Sequence, residues 1–443
     1  MGKRRSGRQR FERKKRFIAM SNIKPFRAIY YNKEKVGDFA KVVCPPYDVI
    51  SQEAQAYYHA LSPYNFTHID LAEERPQDNE RDNKYIRARK TFEQWLRNKV
   101  MVRDEEPGIY FYKQEYKVRG QKYSRLGFIS LMELPDEGDS RVYPHEKTHA
   151  KAVDDRLALT RSLNANLSCI FVCYSDRQRK VEKIFNKHLV TQEPMIDVVD
   201  DGGVRHKLWR LSDEALIQDI NASLRDQHLF IADGHHRFKV ACDYRHERLA
   251  NGKAQPKGDA PFNYVMTYFT NIDSRELQIL PMHRIVRHMP GTNLDFLEEF
   301  FRIDKVKNRD DLLILLGRAG RNEHAFGLYL RSGIRLLRLK SKLLIEEHIR
   351  EGSADYKNLD ATILKHFVFD QMRVPSEEII YTKDLEEVTG MVDSGKADMG
   401  FIMNPVKIAQ LKAIALNGER MPPKTTYFYP KVLSGLTVYK MDE

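Results

Sequence analysis

LFIADGHHRFKVACDYRHERL, residues 229–249, is the stretch from which the fold of this chain is best predicted. Its four apolar residues, 229–232, predict a short buried strand, and the run from about His236 onward predicts a helix. Asp233 and Gly234 lie where the strand turns into the helix. The first turn of a helix has free backbone N–H groups and the positive end of the helix dipole. A strand that runs through such a turn into a helix is therefore typical of phosphate binding.

The side chains of this turn suit an anion site. Gly234 allows close approach of a ligand to the backbone, and Arg237 offers a planar fork of donors that matches phosphate oxygens. His235 and His236 can each donate a hydrogen bond and titrate near neutral pH unless they are shifted. Asp233 is expected to cap the helix through a backbone N–H, or to serve as a base or a metal ligand. The alternative is a capped helix with two partly exposed histidines.

A second group of polar residues, YPHEKT at 143–148, lies ahead of a predicted helix over 147–165. A glutamate beside a histidine at a helix start, as in His145-Glu146, can hold Mg²⁺ directly or through water, or take a proton from a hydroxyl. The alternative is a glutamate that the helix dipole favours in the first turn. Upstream, Pro45-Pro46 fixes a rigid loop, so that Tyr47 and Asp48 either line a pocket or form a structural turn.

The remaining pattern predicts an α+β (mixed α/β) chain, because residues 108–134 indicate an antiparallel hairpin. A length of 443 residues suggests two or three domains. We expect a basic tail over 1–20, an N-terminal α/β segment over 21–125, a core with the phosphate-binding turn over 126–250, and a C-terminal α/β segment over 251–443. No apolar run is long enough to cross a bilayer. Four cysteines make no disulfide framework, so the expected location is the cytoplasm.

The net charge of +12 is concentrated in the tail. Residues 1–19 contain nine Lys or Arg and one Glu, a net of +8, which leaves +4 for the other 424 residues. Blocks of like charge are usually disordered, and Met20 is a plausible start of the working protein. The composition therefore gives little support for nucleic-acid binding by the body of the chain.

Taken together, the strings H-E-x-T, D-R and I-A-D-G-H-H-R resemble the bacterial "domain of unknown function 1015" family. The resemblance extends over about 22–437 and includes CPPYDVIS at 44–51 and MPPKTTYFYPK at 421–431. The core from about 126 to 245 also resembles the ParB/sulfiredoxin-like superfamily. Its free-serine kinases carry D-G-H-H-R with an upstream P-H-E, which 144–146 matches here. Asp233 lies 87 positions after Glu146, a longer interval than in the compact kinases. His235 replaces the nucleophilic cysteine of sulfiredoxins, so repair of sulfinic acids is not implied.

This resemblance implies a phosphotransferase that uses ATP or ADP with Mg²⁺ and acts on the hydroxyl of a small metabolite, with free L-serine as the first candidate. The catalytic residues that it implies are Glu146, Asp233 and His236. Those implied for the nucleotide are Gly234, His235, Arg237 and Thr148, with Glu146 as the metal ligand. Those implied for the substrate are His145, Tyr47, Asp48, His283, Arg284 and Lys431.

Two alternatives remain open at this stage. The same residues could hydrolyse phosphoserine or another phosphomonoester, and a nucleotide requirement would separate this phosphatase from a kinase. A ParB-like nucleic-acid-binding protein is the other hypothesis, although the charge restricts it to the basic tail. We expect a small metabolite and a nucleotide as partners, and no membrane.

Overall fold

The computed structural model describes residues 23–136, 141–146, 148–252, 259–289 and 293–442. Helices and strands are mixed along these ranges, and the predicted α+β class is confirmed. The basic tail predicted over 1–20 lies outside the described residues. Of the helices in the described ranges, none is long and apolar enough to cross a membrane.

The strands of these ranges are short to medium in length. They are β1 Ile23–Lys24, β2 Ile29–Tyr31, β3 Met101–Arg103, β4 Ile109–Val118, β5 Gln121–Glu133, β6 Val142–Pro144, β7 Ala165–Asn166, β8 Ile170–Tyr174, β9 Ile196–Val199, β10 Arg205–Leu211, β11 Leu229–Asp233, β12 Tyr264–Asn271, β13 Gln278–Leu280, β14 His283–Val286, β15 Phe301–Val306, β16 Ala325–Leu330, β17 Gly333–Leu339, β18 Ile379–Thr382, β19 Met399–Ile402, β20 Tyr427–Tyr429 and β21 Tyr439–Lys440.

The helices range from one turn to four. They are α1 Lys33–Val36, α2 Gln52–Leu61, α3 Thr67–Asp70, α4 Lys84–Arg97, α5 Ala150–Leu163, α6 Lys180–His188, α7 Glu214–Leu224, α8 His235–Ala250, α9 Leu297–Phe300, α10 Arg309–Ala319, α11 Leu343–His348, α12 Ala354–Lys357, α13 Asp360–Leu364, α14 Asp370–Met372, α15 Leu385–Asp393 and α16 Ile408–Leu416. A 3₁₀ turn covers Tyr47–Val49, and a π-helical turn covers Lys365–Phe369.

The first lobe is built on a mixed sheet that runs β6-β11-β8-β12-β5-β4-β10-β9, with β1 also paired to β5. Most neighbours are antiparallel, but β6 with β11 and β8 with β12 are parallel. Successive residues of β4 alternate between two hydrophobic clusters: Tyr110 and Tyr112 face one, and Ile109 and Phe111 face the other. This alternation is the period of a strand whose two faces are both covered.

The predicted hairpin of residues 108–134 is confirmed as β4 and β5. Val118 pairs with Gln121, so Arg119 and Gly120 form a two-residue loop. Both have positive φ, 49° and 79°, as expected for the hairpin turn whose twist matches that of its strands.

The second lobe, residues 283–402, has its own antiparallel sheet in the order β15-β17-β16-β19-β14-β18. One face packs on a cluster that includes the π-helical turn, and the other packs on α10 and α15. The chain then returns to the first lobe. β20 pairs with β13, β21 pairs with β7, and Cys44 bridges to Ser434.

The lobes do not follow the domain boundaries predicted at 125/126 and 250/251. The first boundary cuts through β5, and β12, beyond the second boundary, lies in the same sheet as β5 and β8. Residues 406–442 return to the first lobe although the sequence places them with the second. The division into lobes is set by strand pairing between distant segments. Glycine and proline residues in the loops do not indicate that pairing.

Candidate functional site

Two parallel strands bring the two predicted motifs to one edge of the first sheet. Phe230 lies opposite Tyr143, and Ile231 lies opposite Pro144, in the ladder of β11 and β6. Parallel neighbours end at the same edge, so the chain leaves β6 into residues 145–146 where it leaves β11 into α8. The motif PHE and the motif DGHHR therefore form one site.

The turn into α8 is built on Gly234, whose φ of 84° lies in the left-handed region. A Cβ atom at this position would come within 3.1 Å of the guanidinium of Arg237. Gly234, not Asp233, is the N-cap residue, and among the described residues no side chain caps the helix. The predicted capping role of Asp233 was therefore wrong. The N-terminus of α8 lacks a capping carboxylate and keeps its capacity to bind an anion.

Asp233 instead lies between two cations. Its Oδ1 accepts from Lys431 Nζ, and its Oδ2 accepts from Arg237 Nη2 at 2.8 Å. Although burial alone would raise the pKa of Asp233, Lys431 and Arg237 hold it well below its usual range. Arg237 also donates to the carbonyl of Cys169. Arg237, predicted as the phosphate ligand, thus already donates hydrogen bonds to the Asp233 carboxylate and to the Cys169 carbonyl.

Two histidines form a buried pair beside this ion cluster. The rings of His145 and His235 meet edge to face, with centroids 4.6 Å apart. Burial lowers the pKa of His145 to about 4, and burial followed by the charge of a protonated His145 lowers that of His235 well below 6.5. Both rings are therefore neutral at neutral pH, and they contribute hydrogen bonds rather than positive charge.

The hydrogen bonds of His235 assign its tautomer. Its Nε2 accepts from the backbone N–H of His145 at 3.3 Å, so its proton is on Nδ1. Nδ1 lies 3.7 Å from Glu146 Oε2, a distance longer than a hydrogen bond. His145 Nε2 in turn lies 3.1 Å from Thr426 Oγ1.

Glu146 lies in the loop between β6 and α5, four residues before the helix begins, and not in a helical first turn. Its Oε1 accepts from the backbone N–H of Lys424 at 3.2 Å, and its carbonyl accepts from Arg420 at 3.3 Å. Burial raises the pKa of Glu146, which the N–H and charge of Lys424 only partly offset. The group is thus a carboxylate whose basicity is greater than that of a glutamate in water.

A cavity of about 430 Å³ opens beside Glu146. One face of α8 forms a wall, with residues spaced as neighbours on a helix surface. The cavity lining consists of Pro144, Glu146, Thr148, His235, Phe238, Lys239, Cys242 and Arg420. This volume lies within the range of small-molecule and cofactor sites. Thr148, predicted to bind the nucleotide, is at its exposed rim.

His236 follows His235 in the first turn of α8 and is not among the described residues that line this cavity. Its Nε2 accepts from the backbone N–H of His149 at 3.0 Å, and its ring stacks near that of His149. Burial lowers the pKa of His236, as does His149. The second ring nitrogen, Nδ1, therefore carries the proton and can donate it in a hydrogen bond.

Tyr47 and Arg237 line a second, smaller cavity of about 40 Å³. Arg156 lies 4.3 Å above the Tyr47 ring and donates to Asp70 O at 2.5 Å and to Asp155 Oδ2 at 2.6 Å. Burial raises the pKa of Tyr47 to about 12. This space holds little more than water, so Tyr47 supports the floor of the site beneath Arg237.

Asp48 is exposed on the 3₁₀ turn next to Tyr47. Burial alone would lower the pKa of Lys431, but the negative charges of Asp233 and then Asp48 raise it. The same two carboxylates also raise the pKa of Arg237. The carboxylate of Asp48 therefore faces the same two cations as Asp233, from the solvent side.

His283 and Arg284 lie on β14 of the second lobe. His283 Nδ1 accepts from the N–H of Met403 at 3.1 Å, and burial lowers its pKa to about 4. Arg284 lies over the Tyr381 ring, and burial lowers its pKa to about 10. Within the described ranges no hydrogen bond or ion pair joins either residue to the turn at Asp233. The structure does not bring these two predicted substrate residues to the candidate site.

Several residues of the site were not predicted from the sequence. Arg420, Thr426, Phe238 and Lys239 contact the buried histidines or line the larger cavity. Lys431 and Asp233 were both predicted as site residues, but the ion pair between them was not. A polar residue in a loop gives no periodic signal, so Arg420 could have been found only from the structure.

The metal expectation has limited support from the geometry. Over the described residues, no group of three or more His, Cys, Asp or Glu side chains is arranged to hold a metal ion. Among the described residues that line the cavity, Glu146 alone offers a carboxylate. That number is compatible with Mg²⁺, which commonly binds one or two protein carboxylates together with nucleotide phosphates.

Comparisons with known proteins give a family match and weak structural similarities. The family described as "Protein of unknown function (DUF1015)" matches residues 23–362. No curated protein matches the sequence.

Three solved structures illustrate the structural similarities. A conserved hypothetical protein from Pyrococcus furiosus is 13% identical, with a TM-score of 0.35 over 70% of this chain and 95% of that one. A free serine kinase in complex with AMP is 15% identical, with a TM-score of 0.34 over 68% and 86%. SbnI with a C-terminal truncation, from Staphylococcus aureus, is 9% identical, with a TM-score of 0.35 over 69% and 85%. These values are too low to transfer a function.

Proposed function

The chain belongs to the DUF1015 family of proteins of unknown function, and we propose that it is a nucleotide-dependent phosphotransferase acting on the hydroxyl of a small metabolite. The first substrate we propose is free L-serine, because the motifs at 144–146 and 233–237 resemble those of free-serine kinases. One observation carries the proposal: Glu146, a carboxylate with a raised pKa, lies at the wall of a 430 Å³ cavity beside the glycine turn that begins α8.

Glu146 is the residue best suited to accept a proton. Its Oε1 is fixed by the backbone of Lys424, while Oε2 lies 3.7 Å from His235 and is held by a weaker contact. In the proposed reaction, Oε2 accepts the hydroxyl proton as the substrate oxygen bonds to the terminal phosphorus. The bond from that phosphorus to the bridging oxygen of the nucleotide breaks. General-base assistance of this kind contributes about 10²- to 10⁴-fold.

The turn at Gly234 is the proposed phosphate cradle. Without a Cβ, a phosphate can reach the N–H groups that begin α8, where the helix dipole is positive. His236 can add a hydrogen bond from Nδ1. Positioning and electrostatic stabilisation of this type supply most of the rate in phosphoryl transfer.

Asp233 has a positioning role in this proposal. Its depressed pKa makes it a poor base, and both of its oxygens are already occupied by Lys431 and Arg237. It fixes these cations at the floor of the cradle. Their charge then stabilises the phosphoryl group by proximity.

Mg²⁺ would be held by Glu146 together with nucleotide phosphates. The ion would neutralise phosphate charge when bound. Because Glu146 Oε1 already accepts a backbone N–H and Oε2 is the proposed base, the carboxylate would hold the ion through a bound water rather than directly.

The test is an incubation of the full chain with Mg²⁺, L-serine and either ATP or ADP, followed by phosphoserine detection by mass spectrometry. We expect phosphoserine with one of the nucleotides, and its formation by E146Q to be slower by about 10²- to 10⁴-fold. Glu93→Gln is the matched control, because Glu93 is exposed on α4 and belongs to no part of the site. It should retain full activity.

Three outcomes would count against the proposal. Absence of product with both nucleotides and with serine, homoserine and threonine would refute the kinase. Release of phosphate from phosphoserine without a nucleotide would identify a phosphatase instead. Full activity of E146Q would remove the role assigned to Glu146.

A further inference from the structure

Arg420 is an unassigned cation at the larger cavity. It follows α16 in the C-terminal segment, residues 420–431, and its side chain lines the cavity together with Glu146 and His235. The charge of Arg420 lowers the pKa of both His145 and His235, so the guanidinium is close to the buried histidine pair.

No carboxylate in the described part of the chain pairs with Arg420. Its one hydrogen bond there is a long contact of 3.3 Å to the carbonyl of Glu146. The adjacent Glu419 is turned away, because its carboxylate accepts from both the backbone N–H and the hydroxyl of Ser353. Partial burial lowers the pKa of Arg420.

Three other cations near the cavity are already paired with carboxylates. Arg237 and Lys431 share Asp233, and Lys239, which also lines the cavity, pairs with Asp243 one turn further along α8. Arg420 is therefore the guanidinium at this cavity whose donors are available for a ligand. Arg420 is exposed to solvent, so its donors are hydrated and open to a ligand that enters the cavity.

We propose that Arg420 binds the phosphates of the nucleotide in the 430 Å³ cavity, the role that the sequence predicts for Arg237. This inference rests on the proposed function, since it assigns a contact within the same site. The planar guanidinium can form two parallel hydrogen bonds with phosphate oxygens. The helix N-terminus would bind the phosphates from one side, and Arg420 would bind them from the C-terminal segment.

The experiment measures Kd for ADP, ATP and adenosine by isothermal titration calorimetry with the wild type, R420Q and R420K. A charge-assisted hydrogen bond contributes roughly 1.5–3 kcal/mol, so we expect R420Q to weaken ADP binding about 10- to 150-fold. Adenosine binding should change by less than about threefold, because adenosine has no phosphate. R420K should fall between the wild type and R420Q for ADP.

The matched control is Arg321→Gln, which removes an exposed arginine from the second lobe and changes net charge equally. It should bind ADP as the wild type does. The tryptophan fluorescence midpoint in urea verifies that each variant is folded.

Each contrary outcome has a distinct meaning. ADP binding by R420Q within about twofold of the wild type would overturn the assignment of Arg420 while leaving the proposed function in place. An equal loss for adenosine would show that Arg420 shapes the loop rather than binding phosphate. A wild-type chain that binds neither ADP nor ATP would overturn both proposals.

Discussion

Replacing Asp233 with asparagine would leave two buried cations without the carboxylate that joins them. Asp233 and Lys431 have side chains only 13% and 12% exposed, and Arg237 is buried to the same degree. Removing one partner of a buried ion pair costs about 3–5 kcal/mol, since an uncompensated charge stays buried. Asparagine can still accept one hydrogen bond, so we expect D233N to destabilise the first lobe by about 3 kcal/mol at pH 7.

Urea unfolding followed by tryptophan fluorescence measures this loss in the correct lobe. The chain has two tryptophans, and both Trp95 and Trp209 are buried in the first lobe. The matched control is Asp243→Asn on the same helix, because Asp243 pairs with the exposed Lys239. A surface pair of this type contributes about 0–1 kcal/mol, so D243N should unfold near the wild-type midpoint.

The pH dependence gives a second check. The folded pKa of Asp233 lies below its unfolded value of about 3.9, so its stabilisation is complete above about pH 5 and is lost as the pH falls. The stability difference between the wild type and D233N should therefore be constant from about pH 5 to 8 and shrink below about pH 4. Equal stability of D233N and D243N, or a difference that grows on acidification, would refute the account of this ion cluster.

Three further predictions concern activity and binding. E146Q should lower kcat about 10²- to 10⁴-fold, with a nearly unchanged Kd for nucleotide. In the wild type, kcat should fall as the pH is lowered through the pKa of Glu146, which lies above 4.5. The same fall in kcat at acidic pH in E146Q would contradict this role. Gly234→Ala places a Cβ 3.1 Å from Arg237 on a residue with left-handed backbone conformation. The variant should lower the free energy of unfolding in urea by about 1–2 kcal/mol and should bind ADP more weakly. Wild-type values for both measurements would be inconsistent with a phosphate cradle at this turn. Deleting residues 1–19 should leave serine phosphorylation unchanged and abolish any salt-dependent DNA binding in a fluorescence titration, whereas DNA binding that survives the deletion would belong to the body.

Local features of the sequence were sufficient for the elements that have a clear hydrophobic period or turn signal. The hairpin of β4 and β5, the strand β11 and the helix α8 follow from period and turn chemistry, and the structure has them within a few residues of the predicted bounds. Gly234 has a positive φ, the conformation that favours glycine at a turn between a strand and a helix, and its role in nucleotide binding stays a prediction.

The chemistry of the DGHHR turn was harder to predict, because burial changes it. An aspartate before a helix normally caps it, but two cations nearby bind Asp233 more strongly than a backbone N–H would. Histidines normally titrate near neutral pH, but His145 and His235 are desolvated by one another and by the strands around them. Neither the ion pairing of Asp233 nor the burial of the two histidines can be read from the neighbouring residues in the sequence.

The contribution of the C-terminal segment, residues 420–431, was not predictable from any local window. Lys431 reaches Asp233 across 198 positions, and Thr426 reaches His145 across 281. The chain returns because β20 and β21 pair with strands of the first lobe, so the entire second lobe is inserted between β13 and β20. The region that matches the DUF1015 family ends at 362, before this return. A fragment cut at that boundary would lack the backbone N–H that holds Glu146 and the cation that holds Asp233. Since the first lobe would also lose two strand pairings, such a fragment should neither bind nucleotide nor retain the wild-type unfolding midpoint.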